Sequence, residues 1–279
     1  MHSDRPALMS PALVVVAHGS RDPRALRTIT ELLDRVRELR PDLDVRLGHI
    51  EIDEPRLPDT LAALKADRAD RIGRAVLVPL LLSRGVHVKR DLPAAAASAP
   101  GLDIRIAAPL GPHPLLVETL YARLVEAGWR TSDSAATRSP DATDGRGRQV
   151  TGVVLAAAGS RDPQSAADTR RTAELLSRRL GGVPVVPGYA SAASPTIAGA
   201  LRALAARGCH RAAIASYFTA PGHFATRGAA HAPWIAAAPL GAHPAMAALL
   251  LRRYEEASAT PYGTGHRRLL ATSADAFRM

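Results

Sequence analysis

The sequence contains little cysteine, few aromatic residues and no long hydrophobic run, and each shortage excludes a class of protein. The single cysteine, Cys209, excludes an internal disulfide framework and a metal cage built from thiolates. Aromatic residues make up 4% of the 279 residues, which leaves few rings to stack on nucleic-acid bases. No apolar run approaches the roughly 20 residues that a membrane-spanning helix requires, and residues 1–10 carry no signal-peptide pattern. We therefore expect a cytoplasmic protein with neither a membrane nor a nucleic-acid partner.

Lysine is also scarce, although the chain is strongly basic. The 36 basic and 26 acidic residues give a net charge of +10, yet Lys65 and Lys89 are the only lysines. The arginines are scattered along the chain rather than gathered into a stripe, which argues against a nucleic-acid surface. A small ligand with several negative charges is a simpler partner for this excess of positive charge. The length and the 47% of hydrophobic residues suffice for two globular domains.

One stretch of about ten residues occurs twice in the chain. In the first copy, the branched run at residues 13–16 is typical of a buried parallel strand, Gly19 permits a tight turn, and Asp22 with Pro23 predicts a helix start. The second copy keeps the glycine, the aspartate and the proline, but it has Ala158 in place of His18. A further pair of matching segments, residues 108–114 and 238–244, indicates that the chain is an internal duplication.

Strand and helix patterns alternate through both halves of the sequence. The predicted strands are residues 13–16, 45–52, 75–82, 103–107, 152–157, 183–187, 211–217 and 234–238. The predicted helices are residues 24–39, 58–69, the alanine run after Pro93, 113–127, 164–180 and 195–206. This alternation predicts an α/β fold with two duplicated lobes, each a parallel sheet with helices on both faces. The predicted boundaries are a first lobe at 11–130, a flexible linker at 131–149, a second lobe at 150–256 and a mobile tail at 257–279.

Three candidate ligands lie at the carboxyl ends of strands in the first half, namely His18, Glu51 and His87. Neighbouring parallel strands bring such ends together at the edge of a sheet where ligands bind. Two imidazoles and one carboxylate suit a divalent first-row metal and leave coordination positions open. The second half lacks the first histidine and has no acid where Glu51 stands.

Each of these residues also has a structural interpretation. His18 could pack or cap at the strand end, Glu51 lies beside other exposed acids, and His87 has a near counterpart in His223, shifted by one place. His113 and His243 precede prolines at predicted helix starts in both halves, which favours a structural role. His49, one strand position before the predicted ligand edge, is expected to face away from Glu51.

Several segments of the first half resemble one known family. The motif at residues 17–21, the segment at 51–55 and above all the run at 79–93 are similar to the CbiX/SirB-type sirohydrochlorin chelatases, the class II chelatase family. The resemblance implies chelatase-type, flavodoxin-like lobes with the substrate cleft between them. It also places the family's catalytic and metal-contacting residues on His18, Glu51 and His87, with no cofactor beyond the substrate metal, Fe²⁺ or Co²⁺.

The resemblance also implies which residues bind the substrate. Sirohydrochlorin is a tetrapyrrole with eight carboxylates, so basic and polar residues at the cleft edge would attract and orient it. The residues assigned to this role are Ser20, Arg21, Arg84, Lys89 and Arg90.

The leading hypothesis is a monomeric, cytoplasmic chelatase with one catalytic lobe and one degenerate lobe. Iron for siroheme is the first choice of metal and cobalt for cobalamin the second. The alternative is a carrier of metal or tetrapyrrole that uses the same ligands without catalysing insertion. A hydrolytic or phosphate-binding protein is disfavoured because the chain has no Gly-x-Ser-x-Gly elbow and no Walker-type loop.

Overall fold

The first half of the chain folds as a parallel sheet between helices. The computed structural model describes residues 10–67, 73–85, 87–130 and 150–259. The elements of the first half are β1 (Ala12–Ala17), α1 (Pro23–Leu39), β2 (Val45–His49), α2 (Leu57–Ala66), β3 (Gly73–Pro79), a π-helical turn (His87–Asp91), α3 (Leu92–Ala97), β4 (Leu102–Ile106) and α4 (Pro114–Glu126). The strands are parallel in the order β2-β1-β3-β4.

The second half repeats this topology. Its elements are β5 (Thr151–Ala157), α5 (Pro163–Arg179), β6 (Val185–Tyr189), α6 (Ile197–Ala205), β7 (Arg211–Tyr217), α7 (His223–Ala229), β8 (Ile235–Ala236) and α8 (Pro244–Ala259). The strand order β6-β5-β7-β8 matches that of the first half, and all pairs are parallel. The predicted duplicated α/β fold is therefore confirmed.

The structure differs from the predicted elements in several places. It adds α7 and α8 to the predicted helices, and it ends β2 at His49 and β3 at Pro79, before the predicted ends at 52 and 82. Helix α8 continues to Ala259, so the first three residues of the predicted tail are helical. The predicted linker, residues 131–149, and the rest of the tail lie outside the described residues. Within the part of the chain that is described, no helix is long and apolar enough to cross a membrane.

The repeated turn after the first strand of each half requires glycine. Gly19 has φ +100°, and a Cβ there would lie 1.9 Å from the carbonyl oxygen of Glu51. Gly159 has φ +92° and the same 1.9 Å approach to the carbonyl oxygen of Ser191. A side chain would clash at both positions, and the positive φ favours glycine as well. These matching contacts make Ser191 the structural counterpart of Glu51.

Each half places its last helix on the sheet of the other half. Helix α8 packs against β3, β4 and α1, whereas α4 packs against β7 and α5. The Tyr254 hydroxyl of α8 donates to the Pro11 carbonyl at 2.7 Å, beside the start of β1. The largest hydrophobic cluster accordingly contains residues of both halves, while each sheet keeps a smaller cluster on its outer face. The halves share one core.

The exchanged helices begin with the same kind of cap. The Nδ1 atom of His113 accepts a hydrogen bond from the Leu115 N–H at 3.1 Å, and Nδ1 of His243 accepts from the Ala245 N–H at 3.2 Å. Burial, followed by Arg253 near His113 and Arg123 near His243, lowers the pKa of both imidazoles. The structural role expected for these histidines agrees with this geometry.

Candidate metal centre and cleft

The structure brings the three predicted ligands together at one edge of the first sheet. His18 follows β1, Glu51 lies two residues beyond β2, and His87 opens the π-helical turn after β3. One potential ligand atom from each residue lies within 4.8 Å of the others. The order β2-β1-β3 explains the grouping, because these strands are neighbours and end at the same edge. His18 and Glu51 are exposed and His87 is half-buried, so an ion can reach the group from solvent.

The two imidazoles lie edge to face. Their ring centroids are 4.7 Å apart and their planes meet at 89°. Nδ1 of His87 lies 2.5 Å from a carboxylate oxygen of Asp91, one turn further along the chain. A proton on Nδ1 that is shared with Asp91 leaves the Nε2 lone pair for a metal, which is the usual arrangement of a carboxylate behind a ligating histidine. Asp91 was not among the predicted residues, although its i+4 spacing from His87 in a helical turn was a usable signal.

Backbone contacts fix the loop of His18 against the loop of Glu51. The Glu51 N–H donates to the His18 carbonyl at 2.9 Å. The Ser20 N–H donates to the Asp53 side chain at 2.9 Å, and the Ser20 hydroxyl accepts from the Asp22 N–H at 3.1 Å. The two candidate ligands therefore come from loops that hold each other in place.

His49 connects the two ends of the loop that carries Glu51. Its side chain is fully buried, and both its backbone N–H and its ring Nδ1 contact the Pro55 carbonyl, at 2.9 and 3.2 Å. His49 is thus outside the ligand group, and its two contacts fasten the end of β2 to the far end of the loop that carries Glu51.

The ligand group borders a cleft of about 1060 Å³ between the two halves. The first half contributes residues around His18 and His87, and the second contributes Ala158, Ser191, Tyr217 and the segment from Thr219 to Ala225. The predicted cleft between lobes is therefore present. His223 lines it too, from the first residue of α7. Within the described residues no second group of three ligands is found, in keeping with Ala158 and Ser191 at the matching positions.

The five predicted substrate-binding residues have different surroundings. Ser20, Arg21 and Arg84 line the cleft, while Arg90 is exposed on the π-helical turn and Lys89 is exposed beside it. Arg84 and Lys89 already have acidic partners in the other half: Arg84 forms a two-pronged ion pair with Asp168, and the Lys89 amine contacts Asp162. The sequence pattern predicted neither aspartate as part of the site, because both belong to helix α5 or its cap in the other half.

The fold and the site together define a duplicated, two-lobed α/β protein of the chelatase type, with a histidine–glutamate–histidine group at its cleft. The chain belongs to the CbiX family, whose sequence model matches residues 12–127 and 152–257. The family resemblance predicted from the sequence is therefore confirmed.

Curated relatives and solved structures agree with this assignment. A sirohydrochlorin cobaltochelatase of Methanococcus aeolicus is 34% identical over 82 residues, which is 29% of this chain and 55% of that protein. The sirohydrochlorin ferrochelatase of Bacillus subtilis is 25% identical over 191 residues, 67% of this chain and 66% of that protein. The structure of SirB from Bacillus subtilis with Fe³⁺ matches with a TM-score of 0.69 at 23% identity, covering 90% of this chain and 96% of that one. The structural match supports the fold, and the chain spans about half to two thirds of these two relatives.

Proposed function

We propose that this protein is a chelatase, a lyase that inserts Fe²⁺ or Co²⁺ into sirohydrochlorin in the pathways to siroheme or cobalamin. The observation that carries the proposal is the grouping of His18, Glu51 and His87 within 4.8 Å at the mouth of a cleft large enough for a flat macrocycle. Three side-chain ligands leave coordination positions open, so a metal can be handed on rather than retained.

The residues of this group have the chemistry that metal insertion requires. Insertion removes two pyrrole protons, and a neutral imidazole can accept one while a nearby carboxylate assists. His18 is the less firmly held of the two imidazoles, because its one described hydrogen bond, between Nδ1 and the Gly19 carbonyl, is long at 3.4 Å, and its ring otherwise lies edge to face with that of His87. His87, held by Asp91, is the fixed ligand of the pair.

Arg21 and Ser20 are the cleft residues that we assign to the substrate carboxylates. Both line the cleft beside His18, and Arg21 is exposed. A guanidinium binds a carboxylate with two parallel hydrogen bonds, which orients a flat polyanion as well as attracting it. Arg90 would act from the rim.

The metal selectivity of the isolated protein should be weak. Ligand sets of this kind bind Fe²⁺, Co²⁺ and Ni²⁺ with affinities that rise in that order. The relatives include both cobaltochelatases and ferrochelatases. We therefore expect insertion of both metals in vitro, with iron as the first choice for the cellular product.

The direct test is to mix purified protein with sirohydrochlorin and Fe²⁺ or Co²⁺ and follow the absorbance of the tetrapyrrole. Many turnovers per protein molecule, at a rate well above the uncatalysed insertion, would support a chelatase. Stoichiometric binding without turnover would identify a carrier instead.

The cytoplasmic location and the monomeric state remain predictions from the sequence. Size-exclusion chromatography with light scattering tests the monomeric state.

A further inference from the structure

The loop that carries His87 is bound by the second half at successive positions. We call residues 82–85 and 87–91 the His87 loop. The Tyr217 hydroxyl, at the end of β7, donates to the Leu82 carbonyl at 3.0 Å. The hydroxyls of Ser83 and Ser165 are 2.8 Å apart. Tyr217 is buried, which raises the pKa of its phenol, so it stays protonated and keeps this hydrogen bond.

The strongest of these contacts joins Arg84 to Asp168. The Asp168 carboxylate accepts three hydrogen bonds from Arg84: from the backbone N–H at 3.1 Å, from Nε at 3.0 Å and from Nη2 at 2.6 Å. Asp168 is 3% exposed, and a carboxylate buried to this degree requires a charged or hydrogen-bonding partner. Because the contact includes the backbone N–H, it fixes the main chain three residues before His87.

A second ion pair holds the other side of His87. The Lys89 amine contacts the carboxylate of Asp162, the residue that caps helix α5. His87 therefore lies between two residues of its own loop that are both bound to α5 or its cap. Neither ion pair includes a metal ligand.

These contacts exist for only one of the two equivalent loops. The Leu81 carbonyl accepts a hydrogen bond from the Leu110 N–H, and the Phe218 carbonyl accepts the equivalent bond from the Leu240 N–H. Leu81 and Phe218 are therefore counterparts. Three residues further along each loop, Pro221 is the counterpart of Arg84. Helices α1 and α5 begin at Pro23 and Pro163, so Thr28 is the counterpart of Asp168. Proline and threonine cannot form the ion pair, and the threonine hydroxyl instead bonds to the Arg24 carbonyl of its own helix. The loop that lacks the pair is also the loop whose half lacks the metal ligands.

We infer that Asp168 is a positioning residue for the metal ligand His87 and acts through Arg84, with the Asp162–Lys89 pair in support. The second half would thus keep a part in metal binding without contributing a ligand. This inference rests on the proposed function only in taking the ion at His18, Glu51 and His87 as the substrate metal. It also changes the expected role of Arg84 and Lys89, from contacting substrate carboxylates to holding the ligand loop.

The inference predicts a loss of metal affinity when the pair is weakened without loss of the fold. In Asp168→Asn the neutral amide can still accept from the Arg84 N–H, and the half-exposed guanidinium can be solvated, so folding should be retained. We expect roughly tenfold weaker Co²⁺ binding, the lower end of the usual effect of changing a residue behind a metal ligand. The KM for the metal should rise to a similar extent, whereas the KM for sirohydrochlorin should change less than twofold.

The test is a titration of the full chain with Co²⁺ alone, followed by visible absorption, together with steady-state kinetics in both substrates. Asp162→Asn is the second variant, since asparagine caps a helix as well as aspartate does and only the charge opposite Lys89 is lost. Glu118→Gln is the matched control, because it removes the Arg179–Glu118 ion pair between the halves at residues that do not line the cleft.

The outcomes distinguish the inference from the proposed function. Weaker Co²⁺ binding in Asp168→Asn, a smaller loss in Asp162→Asn and none in Glu118→Gln would support the inference. Unchanged Co²⁺ affinity in a folded Asp168→Asn protein, or a rise in the KM for sirohydrochlorin alone, would overturn it and return Arg84 to the substrate. Failure of the unaltered protein to turn over sirohydrochlorin would contradict the proposed function, while the Co²⁺ titration would still decide the inference.

Discussion

His18 and Ala158 occupy equivalent turns, so the chain itself contains a test of what the imidazole contributes to stability. His18 is exposed, and its one described hydrogen bond, to the Gly19 carbonyl, is long at 3.4 Å. We expect His18→Ala to lower metal insertion by roughly a hundredfold or more, as loss of a group that transfers protons does, while the melting temperature stays nearly unchanged. Insertion rates and thermal unfolding of the same preparation check this. Near-normal turnover would remove His18 from the proposed site.

Gly19 should be less tolerant of substitution than its histidine neighbour. In Gly19→Ala the new Cβ would meet the Glu51 carbonyl oxygen, and the backbone would also be strained at φ +100°. The strain alone costs of order 1–3 kcal/mol, and the clash adds to it. Gly128→Ala is the matched control, since Gly128 has φ +104° but no atom within 4 Å of the new Cβ. Urea unfolding of both variants should show a larger loss for Gly19→Ala; equal losses would mean that the Glu51 loop moves aside at no cost.

At the scale of the helix, the caps of α4 and α8 should make stability depend on pH. The Nδ1 atom of His113 or His243 accepts a backbone N–H only when the imidazole is neutral, and both pKa values are lowered in the folded protein. The unfolded chain therefore binds protons more readily. The stabilisation is complete above the unfolded pKa, near 6.5, and is lost as the pH falls through the lower, folded values.

Asparagine provides the control for this prediction, because it caps a helix and does not titrate. The double variant His113→Asn with His243→Asn should lose stability less steeply than the unaltered protein between about pH 7 and 5. Urea midpoints at a series of pH values measure the two slopes. Equal slopes in the two proteins would show that protonation of these caps does not control the loss of stability at acidic pH.

The elements differ in how far the sequence predicts them. Strands β1 and β5 and helices α1 and α5 follow from a branched apolar run, a glycine turn and an Asp-Pro start, and their observed bounds agree with prediction to within two residues. Helix α7 is not apparent from the sequence, because its seven residues are too few to show an apolar periodicity.

The candidate site shows the same division. The grouping of His18, Glu51 and His87 follows from strand order, which local pattern and resemblance could supply. The acidic partners of Arg84 and Lys89 do not follow from strand order, because Asp168 and Asp162 approach them only through the packing of one half on the other.

At the scale of the whole molecule, the exchange of α4 and α8 should hold the halves together without a covalent connection. A protease site inserted between residues 131 and 149 would allow the chain to be cut into two fragments. Because each fragment covers the sheet of the other, we expect them to co-elute on size-exclusion chromatography after cleavage and to separate only in denaturant. Fragments that separate in native buffer, each still folded, would show that the shared core adds little.

The hydrogen bond from Tyr254 to Pro11 places the end of the last helix beside the start of the first strand. A short connection from residue 259 back to residue 10 would therefore close the chain into a ring, which could be opened between the halves instead. Such a circular permutant would begin with the second lobe and end with the lobe that holds the three candidate ligands. Every contact that the structure describes between the halves would be kept, since none of them depends on which lobe comes first along the chain. The fold therefore does not require this order of the two copies along the chain. The two copies differ instead in the residues that each one places at the cleft.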